Sequence, residues 1–379
     1  MKNNFPLSYV ELSRKNLIHN IKQFKHLAKK GTMFSVAIKG NAYGHGKSEV
    51  VRILEKYVDY FQVDSIEELE LLRKISHKKT FVFGYVQKSD LAQTIKLDCI
   101  LSVFSIEQLK ELNRLSKKLK KSQEIHLPVD AYLGREGFLL EDLPGVFAEI
   151  KKCKYIKLTG IYAHFANIED TTNFSHAQKQ IYEYEKVLKL AKKFGFKGLQ
   201  THISATSGLL AYEKNKGINP LIRLGIGVYG MWPSEHLRLL YKKSKFNLKP
   251  VLTWKTKIAQ VKILPKGNSI GYGLTYITKR ETKIAIIPQG YADGFDRSLS
   301  NNGFVLIGGT RCKILGRVMM NMFVVDISHL SKVENENDVV ILGKQVKAEI
   351  SAEEMAKRID TINYEATTRI SPLLPRIII

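Results

Sequence analysis

The chain has 379 residues, of which 44% are hydrophobic and 25% are charged. These values are typical of globular proteins, and the length favours two domains that each bury a core. No segment is long and apolar enough to cross a bilayer, and no secretion signal is recognisable, so we expect a cytoplasmic protein with no membrane partner. Cys99, Cys153 and Cys312 lie far apart outside any CxxC pattern, which argues against disulfides and against a metal site.

The formal net charge of +24 could be mistaken for a function, because basic surfaces attract nucleic acids and anionic lipids. Most of the excess is lysine on predicted helix faces, as in Ser116–Ser122. The lysines there lie opposite an apolar stripe, which consists of Ile106, Leu109, Leu112, Leu115 and Leu119. We therefore interpret the charge as a solvated surface and expect no nucleic-acid partner.

From residue 33 to about 230, short apolar runs alternate with amphipathic helical stretches. Eight strand candidates with intervening helices predict a closed parallel α/β barrel. The candidates are Met33–Ile38, Tyr60–Asp64, Thr80–Gly84, Asp98–Val103, Glu124–Asp130, Ile156–His164, Leu199–Ser204 and Ile222–Tyr229. Apolar steps of three and four between the strands predict helices that pack on the barrel. A clear example is Phe174, Ala177, Ile181, Tyr184, Leu188 and Ala191.

After Trp232 the pattern changes to short β-rich runs separated by Gly, Pro and Asn turns, which predicts a second, mainly-β domain. Its predicted strands are Val251–Leu264, Lys283–Pro288, Phe304–Ile307, Arg311–Val318, Phe323–Ile327 and Asp338–Leu342. Because Tyr241–Lys249 reads as a basic connector, we expect a barrel domain at residues 1–240 and a C-terminal β domain at 241–379.

Active sites of such barrels lie where the strands end, and Lys39 ends the first strand in Val36–Gly46, VAIKGNAYGHG. Desolvation there would lower the pKa of the ammonium group and favour the neutral amine that a Schiff base requires. A lysine that merely extends to solvent is the alternative.

Three further residues close predicted strands on the same rim. Arg223 lies in Leu221–Gly230, LIRLGIGVYG, whose glycines leave backbone N–H groups open to an anion such as phosphate, or simply allow close packing. His164 and Ser207 are the other two, and each could equally be a satisfied structural group.

Five motifs together resemble those of bacterial alanine racemases, the pyridoxal-phosphate enzymes of fold type III. They are VAIKGNAYGHG, LIRLGIGVYG, SIGYG at Ser269–Gly273, PQGYADGF at Pro288–Phe295 and NYE at Asn363–Glu365. The resemblance extends from about Tyr9 to Arg376 and implies the same architecture, an eight-stranded barrel followed by a β domain.

The resemblance implies racemisation of alanine by two bases, Lys39 and Tyr272, on opposite faces of the substrate, supplying D-alanine for peptidoglycan. Two bases are needed because a planar carbanionic intermediate must be reprotonated on the face that did not lose the proton. Lys39 would also hold the cofactor covalently. In the family the tyrosine comes from the partner chain, so a homodimer with shared sites is implied.

The resemblance also assigns binding roles. Arg223 would face the pyridine nitrogen, where a permanent cation disfavours ring protonation, and His164 would lie beside Tyr272 and Arg223. Arg135 would contact the cofactor's phenolic oxygen and the substrate carboxylate, Met320 would complete the carboxylate site through its backbone, and Tyr291 would narrow the entrance. The implied phosphate ligands are Tyr43, Ser207, Tyr364 and the backbone of Gly225 and Ile226.

Three positions depart from the family pattern. Pro128 replaces a carbamylated lysine that braces the arginine, so Arg135 is expected to be buried without its usual anion, and we hypothesise that a bound anion or another acidic side chain replaces it. Asn321 replaces an aspartate, and Thr206 replaces an asparagine. These changes bear on rate and substrate preference.

Other functions stay open at this point. A racemase of another small amino acid, such as serine, would share every motif. A decarboxylase of the same architecture would carry an acidic residue where this chain has Arg223. A relative that binds the cofactor without catalysis, and a nucleic-acid-binding protein that uses the positive charge, are the remaining alternatives.

Overall fold

A computed structural model describes residues 5–213 and 220–379, which form two compact units. The barrel unit contains the described residues of Ile18–Lys39 and Val51–Leu248, and the β unit contains those of Met1–Leu17, Gly40–Val50 and Lys249–Ile379. These units differ from the predicted division after residue 240, because the N-terminal segment and Gly40–Val50 group with the C-terminal part of the chain. The N-terminal segment groups with the C-terminal part because its strand, β1 (Tyr9–Leu12), pairs with a strand that begins at Leu252.

The barrel unit contains the expected eight parallel strands in a nearly closed barrel. The strands are β2 (Met33–Ala37), β3 (Tyr60–Val63), β4 (Thr80–Val82), β5 (Ile100–Ser102), β6 (Gln123–Pro128), β7 (Ile156–Tyr162), β8 (Gln200–His202) and β9 (Leu221–Leu224). Each strand from β2 to β7 pairs with the next, and β9 pairs with β2 so that Ser35 lies opposite Arg223. A bridge between Ala205 and Arg223 closes the remaining gap.

Helical segments follow most of the strands along this part of the chain. They are α1 (Arg14–Leu27), α2 (Lys39–Tyr43), α3 (Lys47–Leu54), α4 (Ile66–Arg73), α5 (Leu91–Lys96), α6 (Ile106–Leu119), α7 (Leu143–Lys152), α8 (Ser175–Lys193), α9 (Thr206–Gly208) and α10 (Glu235–Leu240). Side-chain caps start several of them; for example, Ser65 accepts from the backbone N–H of Glu68, and Ser105 accepts from that of Gln108. Within the described residues, no helix is both long enough and apolar enough to span a membrane.

The last barrel strand ends well before its predicted end. The candidate Ile222–Tyr229 is a strand only as far as Leu224, and Ile226–Tyr229 form a 3₁₀ turn instead. Gly225, between them, has φ −121° and ψ −114°, and its N–H donates to the Thr206 hydroxyl at 3.0 Å rather than to a neighbouring strand. The chain therefore turns at the rim of the barrel, where the candidate site residues lie.

The β unit contains β1 and nine further strands in one sheet, with two helices. The further strands are β10 (Leu252–Lys257), β11 (Gln260–Leu264), β12 (Thr282–Ile287), β13 (Phe304–Ile307), β14 (Thr310–Leu315), β15 (Phe323–Asp326), β16 (Asp338–Gln345), β17 (Ala348–Ile350) and β18 (Arg376–Ile378), and the helices are α11 (Ala352–Arg358) and α12 (Asn363–Thr368). The order of this ten-stranded sheet is β11-β12-β15-β14-β13-β16-β10-β1-β18, with β17 paired to β16. The predicted strand Val251–Leu264 is two strands at different places in the sheet.

Candidate active site

Lys39 directly follows β2 and Ile38, at the carboxyl end of the barrel as predicted. Its Nζ donates to Oδ1 of Asp64 at 3.1 Å, and Asp64 follows the neighbouring strand β3. The two side chains are 51% and 53% exposed. The expectation that Lys39 is desolvated is therefore wrong for this structure, because the adjacent strand end supplies a carboxylate at an open rim.

Arg223 is a buried cation in the barrel unit, with 7% of its surface exposed. Its Nη2 donates to the carbonyls of Ala163 at 2.5 Å and Ile203 at 3.0 Å, and to Nδ1 of His164 at 3.3 Å. Nε is buried and has no hydrogen-bond partner among the described residues. Burial lowers the pKa of Arg223 to about 10, so the side chain remains a cation at neutral pH.

In the part of the chain that the structure describes, the groups that contact the face of this guanidinium are aromatic rings and not a carboxylate. Its central carbon lies 5.6 Å from the Phe83 ring centroid and 5.3 Å from that of Tyr162. Cation–π contacts of this kind stabilise a desolvated cation without neutralising it. Arg223 therefore keeps a full positive charge in the barrel.

His164 lies beside Arg223, as the resemblance implied. Burial, and after it the nearby charges of Arg223, Arg135 and Lys39 in that order, lower the pKa of His164 to about 3. The imidazole is therefore neutral near pH 7. Because Nδ1 accepts from Arg223, the single ring proton is on Nε2, which can donate a hydrogen bond.

Arg135 lies in the loop after β6 and is 53% exposed, so the expectation that it is buried is wrong. Its Nε donates to Oε2 of Glu136 at 2.7 Å. The Asp130 carboxylate shapes the same loop by accepting from the N–H groups of Leu133 and Gly134. The Glu136 carboxylate is therefore an acidic partner of Arg135, as one of the two hypotheses has it, and the bound anion stays a prediction.

The predicted phosphate ligands of the barrel unit lie around α9. Ser207 donates to Oε2 of Glu169 at 2.7 Å, and the Gly225 N–H donates to Thr206. An anion bound here would have to share or displace both hydrogen bonds. Thr206, one of the departures from the family pattern, is thus a direct competitor for the Gly225 N–H.

The β unit holds the other predicted residues. The rings of Tyr43 and Tyr364 lie 6.0 Å apart between centroids. The Tyr291 N–H donates to the Met319 carbonyl at 3.1 Å, which places Tyr291 next to Met320. Tyr272 lies in a 3₁₀ turn, Tyr272–Leu274, and is 72% exposed.

Tyr43 ends a left-handed helical turn, α2. Gly40, Asn41 and Ala42 have φ of 58°, 51° and 56°, and Tyr43 has φ of 54°. For residues with a Cβ this conformation costs about 1–2 kcal/mol each. Such strain persists only where surrounding contacts hold it, and it is concentrated at functional sites.

The sequence analysis did not identify a buried histidine pair in the barrel unit. His126 Nδ1 and His202 Nε2 lie 2.8 Å apart. Gly160 makes room for the pair, because a Cβ there would lie 2.5 Å from His126 Nε2. The available signal was a histidine inside each of two predicted strands. The sequence analysis also did not identify Asp64, Glu136 and Glu169, although Asp64 follows a strand at the same rim.

No cluster of three metal-ligating side chains is found in residues 5–213 and 220–379.

Two family models match the chain: "Alanine racemase, N-terminal domain" at residues 12–233 and "Alanine racemase, C-terminal domain" at 251–378. An alanine racemase of Leptospira interrogans is 34% identical over 98% of this chain and 96% of its own length. A Clostridium difficile alanine racemase structure has 29% identity and a TM-score of 0.91, covering 99% of this chain and 96% of the other. An alanine racemase from Bacillus anthracis with bound L-Ala-P has 31% identity and a TM-score of 0.92, covering 99% and 95%. The chain therefore belongs to the alanine racemase family.

Proposed function

We propose that this chain is a pyridoxal-phosphate-dependent enzyme that interconverts L- and D-alanine, with Lys39 and Tyr272 as its two bases. The observation that carries the proposal is the buried, positively charged Arg223, whose Nε lacks a partner among the described residues. The names of the relatives support alanine as the substrate. Supply of D-alanine for peptidoglycan is the corresponding biological role.

The residues present fit the cofactor. A buried, unpartnered N–H donor matches a pyridine nitrogen that accepts a hydrogen bond, and Arg223 Nε is such a donor. When bound, pyridoxal phosphate supplies an electron-withdrawing ring that acidifies the Cα–H bond of an amino acid. Lys39 would hold the aldehyde carbon through its amine, and Arg135 would donate to the phenolic oxygen.

The phosphate would be held by hydroxyl groups and backbone N–H groups. We assign this role to Tyr43, Ser207, Tyr364, Gly225 and Ile226. Neutral donors suffice for a phosphate when several converge on it. In the barrel unit, Ser207 must exchange its bond to Glu169 for one to the phosphate.

Lys39 and Tyr272 would each remove or return the Cα proton on its own face of the amino acid. The neutral His164 would donate from Nε2 to the tyrosine oxygen, which stabilises a phenolate without delivering a full positive charge. Arg135 and the Met320 backbone N–H would bind the substrate carboxylate, while Tyr291 would limit the size of the side chain that enters.

A homodimer with shared sites follows from this assignment. Tyr272 is 72% exposed on its own chain, and neighbouring apolar side chains are exposed with it. These are Leu274, Ile277, Met320 and Met322. Exposed apolar surface of this kind is typical of an interface between subunits. We propose that a second copy covers it and brings Tyr272 to the partner's Lys39.

Decarboxylation and racemisation of serine are two other reactions that the same residues could serve. A decarboxylase needs an electron-deficient, protonated ring, which a carboxylate at the position of Arg223 would maintain. Arg223 does the opposite, so this alternative is disfavoured. A preference for serine over alanine would leave every described contact unchanged. The rates measured with the two amino acids therefore decide which is the substrate.

The test is proton exchange and racemisation of L-alanine, D-alanine and L-serine in heavy water with added pyridoxal phosphate. We expect inversion of alanine with deuterium at Cα, and no reaction in Lys39→Ala. In Tyr272→Phe, inversion should fall by at least about 100-fold, while exchange without inversion survives for one enantiomer. Lys279→Ala and Tyr182→Phe, both at exposed positions, are the matched controls.

Each outcome has a defined meaning. Faster inversion of serine than of alanine would replace the substrate but keep the mechanism. Cofactor binding without exchange of any amino acid proton would refute the racemase. Loss of exchange for both enantiomers in Tyr272→Phe would refute separate roles for the two bases.

A further inference from the structure

The side chain of Arg376 holds the left-handed turn α2 from outside. Arg376 begins the strand β18, which pairs with β1. Its Nε and Nη2 donate to the Gly44 carbonyl at 3.2 Å and 2.8 Å, so that a two-pronged guanidinium closes on the residue that follows the turn. An ammonium group cannot reproduce this geometry, because it offers a single point of attachment.

Arg376 is itself fixed by the C-terminal segment of the β unit. Nη1 donates to the carbonyls of Ser371 and Leu374, both at 2.6 Å, and Nη2 also donates to that of Ile370 at 3.3 Å. These acceptors are uncharged. The side chain is partly buried, which makes the hydrogen bonds harder to replace by water. The guanidinium thus connects the C-terminal segment to Gly44 by hydrogen bonds to the backbone carbonyls of both.

The opposite side of the turn is closed by helix α12. Gly44 has φ +82°, and a Cβ there would lie 1.9 Å from the Thr367 carbonyl oxygen. The Gly44 backbone is therefore bound by Arg376 through its carbonyl and has no room for a side chain toward Thr367. Within the turn, the Asn41 carbonyl accepts from the Gly46 N–H at 2.9 Å. The strained conformation is determined by contacts on both sides, as the cost of left-handed residues requires.

We propose that Arg376 is a positioning residue for the cofactor phosphate: by holding Gly44 it keeps α2 left-handed and so fixes where Tyr43 presents its phenol. The inference rests on the proposed function, because it uses Tyr43 as a phosphate ligand. A purely structural arginine would stabilise the fold without a specific effect at Tyr43. A variant of Arg376 distinguishes the two roles, because only the positioning role predicts a change in cofactor binding that acts through Tyr43.

The test measures the dissociation constant for pyridoxal phosphate by titrating apo-protein and following its absorbance. We expect Arg376→Lys to raise that constant by at least about tenfold and Arg376→Gln, which keeps a planar donor, to raise it less. Arg311→Lys is the matched control, since Arg311 binds Glu354 and the Glu349 carbonyl in the same unit without touching the turn. It should stay within about twofold of the natural chain.

Two combined variants separate positioning from general stability. In a Tyr43→Phe background, Arg376→Lys should have little further effect on the dissociation constant, because the group it positions is gone. Ala42→Gly relieves the strain of one left-handed residue and should restore much of the affinity lost in Arg376→Lys. Additive losses with Tyr43→Phe, or no restoration by Ala42→Gly, would overturn the positioning role.

The outcomes also distinguish this inference from the proposed function. If the natural chain does not bind pyridoxal phosphate, both are overturned. If the natural chain binds it and racemises alanine while Arg376→Lys binds it equally well, only the inference fails. If Arg376→Lys does not fold, Arg376→Gln with the same two backgrounds decides the question.

Discussion

The Arg223 guanidinium donates to Nδ1 of His164 at 3.3 Å, so a buried cation fixes the tautomer of a neutral imidazole. The same contact makes protonation of His164 unfavourable, because a second positive charge would lie beside the first. The ring proton is therefore confined to Nε2. This arrangement supplies a neutral donor next to a permanent cation.

Replacing Arg223 by Gln should raise the pKa of His164 from about 3, since the variant removes the largest charge acting on it. The pKa should remain below 6.5, because burial is the larger cause and is unchanged. NMR titration of the imidazole measures the shift. Arg135→Gln should raise it less, as the charge of Arg135 ranks below that of Arg223; a larger effect of Arg135 would contradict the assignment.

Mixing two inactive variants tests whether sites are shared between subunits. Dimers that combine one Lys39→Ala chain with one Tyr272→Phe chain hold one intact site, provided that each site takes its lysine and its tyrosine from different chains. After random exchange of subunits, activity should recover to about a quarter of the natural level. If both groups come from one chain, every site in the mixture lacks one of them. The absence of recovery, with mixed dimers shown to form, would refute sharing.

Glu136 should act on substrate binding through Arg135. We expect Glu136→Gln to raise the KM for alanine about threefold to tenfold with a smaller change in kcat, because the arginine loses the carboxylate at 2.7 Å that orients it. Glu141→Gln, an exposed change nearby, is the control. If chloride restores the KM of Glu136→Gln, a bound anion can take the place of the side chain. An unchanged KM without added salt would contradict the role of Glu136.

The buried histidines should make the protein sensitive to acid. Burial lowers the pKa of His45 to about 4 and that of His126 to about 3, and it lowers the pKa of His202 as well. In the unfolded chain these groups take up protons near pH 6.5. Stability is thus complete above pH 6.5 and is lost as the pH falls toward 3, by about 1.4 kcal/mol per pH unit for each histidine that stays neutral when folded.

Urea unfolding at several pH values measures this dependence. His126→Gln should reduce the slope between pH 6 and pH 4, and an unchanged m value shows that the same surface unfolds in each case. A flat profile over this range would mean that the histidines take up protons without unfolding.

The barrel was predictable because each strand is a short buried run followed by an amphipathic helix, and these periods are visible in the residues themselves. Lys39 and Arg223 were identifiable for the same reason, as charged residues in or after such runs. Tyr272 was not, since an exposed tyrosine in a glycine-rich turn carries no periodic signal, and only the family resemblance pointed to it.

The missed features depend on contacts that no local pattern encodes. The Glu136 carboxylate reaches Arg135 through a loop whose shape Asp130 determines, and Glu169 reaches Ser207 across the rim. Strands β1 and β18 are four and three residues long, too short to show alternation. They exist because each pairs with a distant segment.

Strand β1 has a consequence for synthesis of the chain. Leu12 pairs with Leu252, so the ribosome completes the entire barrel unit before the first strand meets β10. The N-terminal strand must wait unpaired during that time, with an exposed edge that other chains could bind. A fragment that begins at residue 251 would lack the strand between β10 and β18, and it should therefore fold only when a peptide containing Tyr9–Leu12 is supplied.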